Sequence, residues 1–455
     1  MQDDLHSVRL ANFISQARFA DLPPEVVSKA IDHTLDTLGA ALAGSTSGEA
    51  RIARATLASV DAGGEAICWG TRQRLSVRNA AMVNGIAAHA FELDDTGGCD
   101  HSGAVVLPAV IALLALDQRP VTGKDLLTAI VVGYDIGRRV LEAFGGYRPH
   151  NEAGWHSTGT CGVFGAAAAA ANLLHLNATQ TVACLGIAGS FSSGLWGFVH
   201  DGAMTKRIHA GRAAEGGVLA ALFARGGMTG PTKVFEDVWG GFLSTYGTGV
   251  IDRNALVQSM VKDWRIMNCA IKPYASCRDT HAAVDAVDRL LLRYDLQASD
   301  IVAVHARLNT FLAGMVGGQD VSTMPAAQMS LPYAVSARIC FGQAGLASYS
   351  PERRSWPAIG DMLKRIVIDV DESVTASFES DVSILTADNR LLKEPTTVAR
   401  GAPANPLSQP ELLEKFRSLA PYAIGERDAD RLAEILLGLD RLDDARKLLP
   451  MLAPL

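Results

Sequence analysis

Lys206, Arg207, His209 and Arg212 crowd into a stretch, residues 186–217, that is otherwise rich in glycine and alanine. On a helix, positions 206, 209 and 212 each turn about 60° from the one before, so these side chains fan over one side. Ala210, Gly211, Ala213, Ala214, Gly216 and Gly217 leave room for other backbone or a ligand to come close. Cations packed away from water require an anion partner. A bound anion satisfies them, and so do internal salt bridges, for which Asp201 and Glu215 are the nearest carboxylates. The density of positive charge favours a bound anion.

Four other segments hold groups that can do chemistry. Glu92-Leu-Asp94-Asp95-Thr96-Gly-Gly-Cys-Asp-His101 sets clustered carboxylates near a histidine across a glycine loop. Mutual repulsion and burial shift such carboxylates into the range of general acid–base work, and the same donors can hold a divalent metal. Asp95 and Thr96 are equally explained as helix caps. Gly154-Trp-His156-Ser157-Thr158-Gly-Thr160-Cys-Gly162 comes just before a run of six alanines. Its hydroxyls can cap that helix, whose free N–H groups attract anions. His156 then stands at the mouth of an anion site, or else bonds a backbone carbonyl.

In Lys272-Pro-Tyr-Ala-Ser276-Cys277-Arg278-Asp279-Thr-His281, Ser276 and Asp279 resemble a capping box. That arrangement makes Cys277 the first helical residue, where the dipole favours a thiolate. Lys272 and Arg278 add positive charge there, and Cys277 and His281 share a face. Carboxylate binding or proton transfer is preferred here over a covalent Cys–His mechanism. Gln328-Met-Ser330-Leu-Pro-Tyr333 offers a phenol, either as proton donor or as an anchored core residue.

Elements that position these groups follow from periodicity. Up to about residue 265 the chain reads as successive helices, with apolar stripes at 10–17, 25–42, 76–91, 104–116, 123–144 and 165–176. The six alanines at 166–171 suit a close helix–helix contact inside a bundle. Character changes near residue 270. Strands are expected at 301–308, 364–370, 380–386 and 391–398, with a hairpin turn at Asp388-Asn389. Helices at 279–292 and 330–339 accompany them, and helices at 410–419 and 428–448 rejoin the first part. The expectation is a mainly α protein: a large all-helical domain, 1–268 plus 400–455, with a smaller α+β domain, 269–399, inserted into it.

At 455 residues the length allows about three domains, or one large core plus a smaller one. A chain 48% hydrophobic and 20% charged is an ordinary globular protein. Its net charge of -7 and lack of long basic runs argue against a nucleic-acid partner. The longest apolar stretch, 103–116, is too short to span a bilayer. Asp3 and Asp4 sit where a signal peptide would carry positive charge, so a cytoplasmic location is expected. Seven scattered cysteines without a C-x-x-C pair indicate neither a disulfide framework nor a zinc or iron–sulfur site.

Taken in order, the segments at 92–101, 154–160, 201–217 and 272–281 resemble the MmgE/PrpD family, over nearly the whole chain. That family includes 2-methylcitrate dehydratase, cis-aconitate decarboxylase and iminodisuccinate epimerase. The resemblance implies that the α+β domain acts as a lid, that the site lies in the cleft between domains, that the chain forms a homodimer, and that no metal or organic cofactor is required. Similarity to the decarboxylase branch points to Thr96, His101, His156, Lys206, Lys272 and Tyr333. Glu92 stands where that branch carries Asp, and Cys277 where it carries His; the epimerase looks more like this chain at Cys277. His101 is followed by Ser102 where many relatives have Pro. These departures leave the branch open.

The implied chemistry is proton transfer at a carbon α to a carboxylate of a small di- or tricarboxylate. The extra negative charge that develops calls for preorganised cations, for which Lys206, Arg207, Arg212 and Lys272 are candidates. His101 is expected to lead as base or acid, with His156 and Lys206 holding carboxylate oxygens and Glu92 or Asp94 orienting the imidazole. Thr96, His209, Ser276 and Arg278 complete the expected binding set, and Tyr333 or Cys277 is the expected proton donor if carbon dioxide is lost. A 2-methylcitrate-dehydratase-like hydro-lyase ranks first, with epimerisation or decarboxylation as alternatives. A catalytically silent carboxylate sensor is the non-enzyme alternative.

Overall fold

The computed structural model describes residues 4–61, 63–116 and 120–454. Asp3, used above to argue against a signal peptide, lies outside them. Two prolines open the first long helix: Pro23 precedes it and Pro24 occupies its first turn, so Pro24–Gly44 starts where a missing N–H costs nothing. Gly48–Val60, Val77–Ala88, Ser102–Leu113, Gly123–Ala143, Gly162–Leu173, Ala178–Gly189 and Thr205–Arg225 follow, joined by shorter elements and loops. Every described residue of Ser102–Leu113 is buried, Pro108 within it included. Thr122 and Asp125 form a reciprocal capping box that fixes the start of Gly123–Ala143.

The six alanines lie in Gly162–Leu173 and none is exposed. With so little bulk on that helix, its neighbours come within backbone range. A Cβ added at Gly217 would lie 2.3 Å from Ala166 Cβ and 2.6 Å from the Ala166 carbonyl carbon. This contact seats Thr205–Arg225, and therefore its first-turn cations, against the bundle. Gly217→Ala is expected to lower unfolding free energy by about 1–3 kcal/mol, the range for overpacking a core, measured by urea denaturation.

The strands at Ile366–Val370, Ile301–Leu308, Asp381–Thr386 and Leu391–Pro395 form one sheet in that spatial order. The first pair is parallel and the other two antiparallel. Along Ile301–Leu308 the inward residues Val304, Ala306 and Leu308 alternate with more exposed ones. They share an apolar cluster with Val284, Val287 and Leu290 of the helix His281–Tyr294. The hairpin turn falls at Asn389, whose φ of 65° is left-handed.

The chain then returns to the helical body. Gln409–Leu419 packs on Pro24–Gly44, with Phe416 resting where a side chain at Gly39 would sit. The helix expected at 428–448 is broken: Glu426–Leu437 stops at Gly438, and two 3-10 turns, Leu439–Arg441 and Ala445–Leu452, take its place. Among the described residues no helix is long and apolar enough to cross a membrane.

Candidate active site

Val77–Ala88 ends at His89, and the chain turns through Glu92 with a left-handed φ of 53°. A non-glycine residue in that region is uncommon and marks a constrained site. The turn sends the Glu92 carboxylate inward to meet three cations. Lys206 Nζ donates to Oε1 at 2.6 Å, and Lys272 Nζ to Oε2 at 3.1 Å. An Arg207 guanidinium nitrogen lies 3.1 Å from Oε1. All four side chains are buried. Burial works to raise the Glu92 carboxyl, but Lys206, Lys272 and Arg207 hold it well below the usual range. Lys272 reaches this point because Thr96 and Ala270 exchange two backbone hydrogen bonds, 3.0 and 2.7 Å long.

The histidines form the facing group. His101 Nδ1 lies 2.8 Å from the Asp95 carbonyl and 3.0 Å from Asp94 Oδ2. The carbonyl can only accept, so Nδ1 carries the proton and Nε2 is the exchanging atom. Nε2 lies 3.4 Å from Asp100 Oδ2. Burial opposes charge on this ring, yet Asp100 and Asp94 outweigh it and raise the His101 pKa. His156 follows the other course: burial dominates and lowers it to about 4. Its Nδ1 lies 2.9 Å from His209 Nδ1, and its Nε2 lies 3.7 Å from Asp100 Oδ2. Asp94 is buried but held well below the ordinary carboxylate range by His89 and His101.

Glu92, Thr96, Asp100, His101, Lys206 and Cys277 line one cavity of about 170 Å³. Thr96 Oγ1 donates to Asp100 Oδ1 at 3.0 Å. Arg278 lines the same cavity while donating to the carbonyls of Ala399 and Arg400. The cavity therefore brings the His101 imidazole and Lys206 of the Glu92 cluster to one surface.

Several sequence expectations fail on geometry. Arg212 does not join the cation cluster: it donates to Glu215 at 2.7 Å, and its guanidinium lies over Phe191. Tyr333 is an anchored core phenol whose hydroxyl donates to the Ser348 carbonyl at 2.6 Å. It lies outside the cavity lining. Ser276 is not a cap; its hydroxyl pairs with Thr280 Oγ1 and Asp279 pairs with Ser377. The hydroxyls at 157–160 do not cap the alanine helix either. Thr160 pairs with His150, Thr158 with His156 and Ser157 with Asn151. Asp95 does act as a cap, accepting from Gly103 N–H in the first turn of Ser102–Leu113.

Among the described residues Cys277 has no imidazole partner, because His281 is engaged by the Ser276 carbonyl and Arg278. Burial and then Asp279 push its thiol up to about 12. Its thiolate fraction at pH 8 is therefore very small. Iodoacetamide at pH 8 is expected to leave activity intact, and Cys277→Ser to stay active; rapid inactivation blocked by ligand would contradict this.

Four residues at the site were not singled out by sequence. His89 sits three residues before Glu92, hidden as the end of a helix. Asp100 was noticed only as a neighbour of His101. Arg138 lines the cavity and donates to the Gly97 carbonyl at 3.1 Å, but on Gly123–Ala143 it reads as a surface pair with Glu142. Asp279, read as a cap, also lines the cavity.

A helical body, an α+β unit and a pocket joining the His101–Asp100 pair to the Glu92-bound Lys206 fit an acid–base type of site. The chain belongs to the MmgE/PrpD family: residues 8–252 match its N-terminal domain and residues 274–441 its C-terminal domain. Cis-aconitate decarboxylase of Aspergillus terreus is 29% identical over 97% of this chain and 95% of its own length. The cis-aconitate decarboxylase-like protein oryM of Aspergillus oryzae is 28% identical over 98% and 97%. The human cis-aconitate decarboxylase is 26% identical over 97% and 93%.

Proposed function

We propose that this chain is a lyase acting on a small di- or tricarboxylate by proton transfer at a carbon α to a carboxylate. The observation that carries the reading is His101 lining one cavity with Lys206, whose Nζ shares the Glu92 carboxylate with Arg207 and Lys272. Substrate carboxylates lie against Lys206, Arg138 and Arg278, which line the cavity, and His101 Nε2 gives or takes the proton. Asp94 and the Asp95 carbonyl hold the ring in register. His156 and Thr96 border Asp100, which sets the charge beside His101. Arg278 and Arg138 supply further N–H donors to the cavity.

Dehydration leads on the sequence alone; the relatives move decarboxylation of a cis-aconitate-like acid ahead of it. In that reaction the bond to the departing carboxylate breaks and its electron pair stays on carbon. The pair spreads toward a remaining carboxylate, which the cations stabilise, and protonated His101 delivers the quenching proton. A His101 raised by two carboxylates is suited to that donation. In dehydration or epimerisation the neutral ring first removes the α proton.

Proton NMR of mixtures with cis-aconitate, 2-methylcitrate and iminodisuccinate, in water and in deuterium oxide, tests the proposal. Turnover or solvent exchange of at least one acid is expected; a folded protein that does neither with any of them overturns it.

Residues 269–399 are proposed as the α+β unit that closes over the cavity, with 1–268 and 400–455 as the helical domain. Two chains are proposed to pair as a homodimer, a reading supported by the exposed Leu195, Met204 and Ile208 near the start of Thr205–Arg225. Light scattering tests it. All seven cysteines are free, which supports work in the reducing cytoplasm.

A further inference from the structure

His89, His101 and His156 are buried, and one ring nitrogen of each lies within 4.8 Å of those of the other two. The Nδ1 atoms are already engaged. That of His89 is 2.9 Å from Asp94 Oδ2, that of His101 is 2.8 Å from the Asp95 carbonyl, and that of His156 is 2.9 Å from His209. The Nε2 atoms are then the ones that can turn to an ion, that of His156 giving up a 3.2 Å contact with Thr158 Oγ1. His89 Nε2 is buried and has no hydrogen-bond partner among the described residues. An orphaned buried polar atom calls for an explanation, and proton transfer by His101 does not provide one. Asp100 Oδ2 lies 3.4 and 3.7 Å from the Nε2 atoms of His101 and His156. Asp100 and His101 also line the cavity, which gives an ion a way in.

We propose that His89, His101 and His156, with Asp100 as fourth ligand, form a binding site for a borderline divalent cation of the Zn²⁺ type, whose occupancy blocks the site. Imidazole nitrogens suit zinc, copper and nickel, whereas magnesium and calcium demand oxygen cages. Metal-bound histidines ordinarily have the other ring nitrogen fixed by a carboxylate, carbonyl or similar partner; Asp94, the Asp95 carbonyl and His209 fill that position here. A tetrahedral ion with Zn–N of about 2.0–2.1 Å sets its nitrogens roughly 3.4 Å apart, so the ring nitrogens close by up to about 1.4 Å on binding. Asp94 and Asp100 offset the charge of the ion. A metal-bound His101 Nε2 has no lone pair left for a proton. The blocking role rests on the function proposed above; the binding site does not.

Zn²⁺ is titrated by calorimetry into the full chain carrying no histidine tag, and Co²⁺ binding is followed by visible absorption. One ion per chain with four-coordinate Co²⁺ bands is expected. His89→Asn keeps an N–H where Nδ1 meets Asp94 but removes the ligand nitrogen, and should weaken binding by at least about 100-fold. The thermal midpoint of that variant establishes whether it folds. If it does not fold, the wild-type Co²⁺ spectrum decides, and six-coordinate bands overturn the site. No binding at millimolar Zn²⁺, or undiminished binding in folded His89→Asn, also overturns it. Turnover of the wild type should fall in step with Zn²⁺ occupancy and recover with EDTA. Binding without loss of turnover overturns the blocking role. Binding by a chain that turns over no carboxylate supports the site while removing the proposed function.

Discussion

His101→Gln is expected to lower turnover by about 10²–10⁴, the usual worth of general acid–base catalysis, while the protein stays folded. The glutamine amide stands near the place of Nε2, which lies 3.4 Å from Asp100 Oδ2. It cannot titrate, so the proton that Nε2 exchanges with the cavity is lost. Steady-state kinetics on the substrate found by NMR, alongside a thermal melt, separates the two contributions. Full activity in the variant removes His101 from the role and leaves His156, held neutral by burial, as the remaining imidazole near Asp100.

Glu92→Gln is expected to cost about 3–5 kcal/mol of stability, the penalty for breaking a buried ion pair from one side. The amide is nearly isosteric, so the loss is one of charge. Lys206, Arg207 and Lys272 then remain buried around a neutral group. Urea denaturation measures the loss, and citrate in the buffer should restore part of it by supplying the missing carboxylate. A denaturation midpoint equal to that of the wild type would show that these cations find their compensation elsewhere.

Much of the architecture was written in local pattern. The stripe at 25–42 became Pro24–Gly44, and the β-branched run 301–308 became Ile301–Leu308 with the same limits. The broken helix after 437 was missed because Gly438 is a tolerable residue within an apolar period. At the site, the chemistry-bearing segments were legible because Gly-rich turns isolate them, but pairing was not. Lys206 and Arg212 look alike in sequence; one meets Glu92 from 114 residues away and the other meets Glu215 on its own helix. Tyr333 was indistinguishable from a catalytic phenol until Ser348, contributed by another turn, took its hydroxyl. Periodicity assigns faces, whereas long-range electrostatic partners come only from the packed chain.

The exchange of backbone bonds between Thr96 and Ala270 has a mechanical consequence. Ile271 N–H also donates to the Gly401 carbonyl at 2.9 Å, and Arg278 grips the Ala399 and Arg400 carbonyls. Both crossings between the two parts of the chain are thus stitched together, and the outgoing one is sewn to the acidic loop. A hinge cannot bend between residues 96 and 270 without tearing that seam. Any swing of the α+β unit about this neck would pull on Lys272 and, through it, on the Glu92 carboxylate that Lys206 shares.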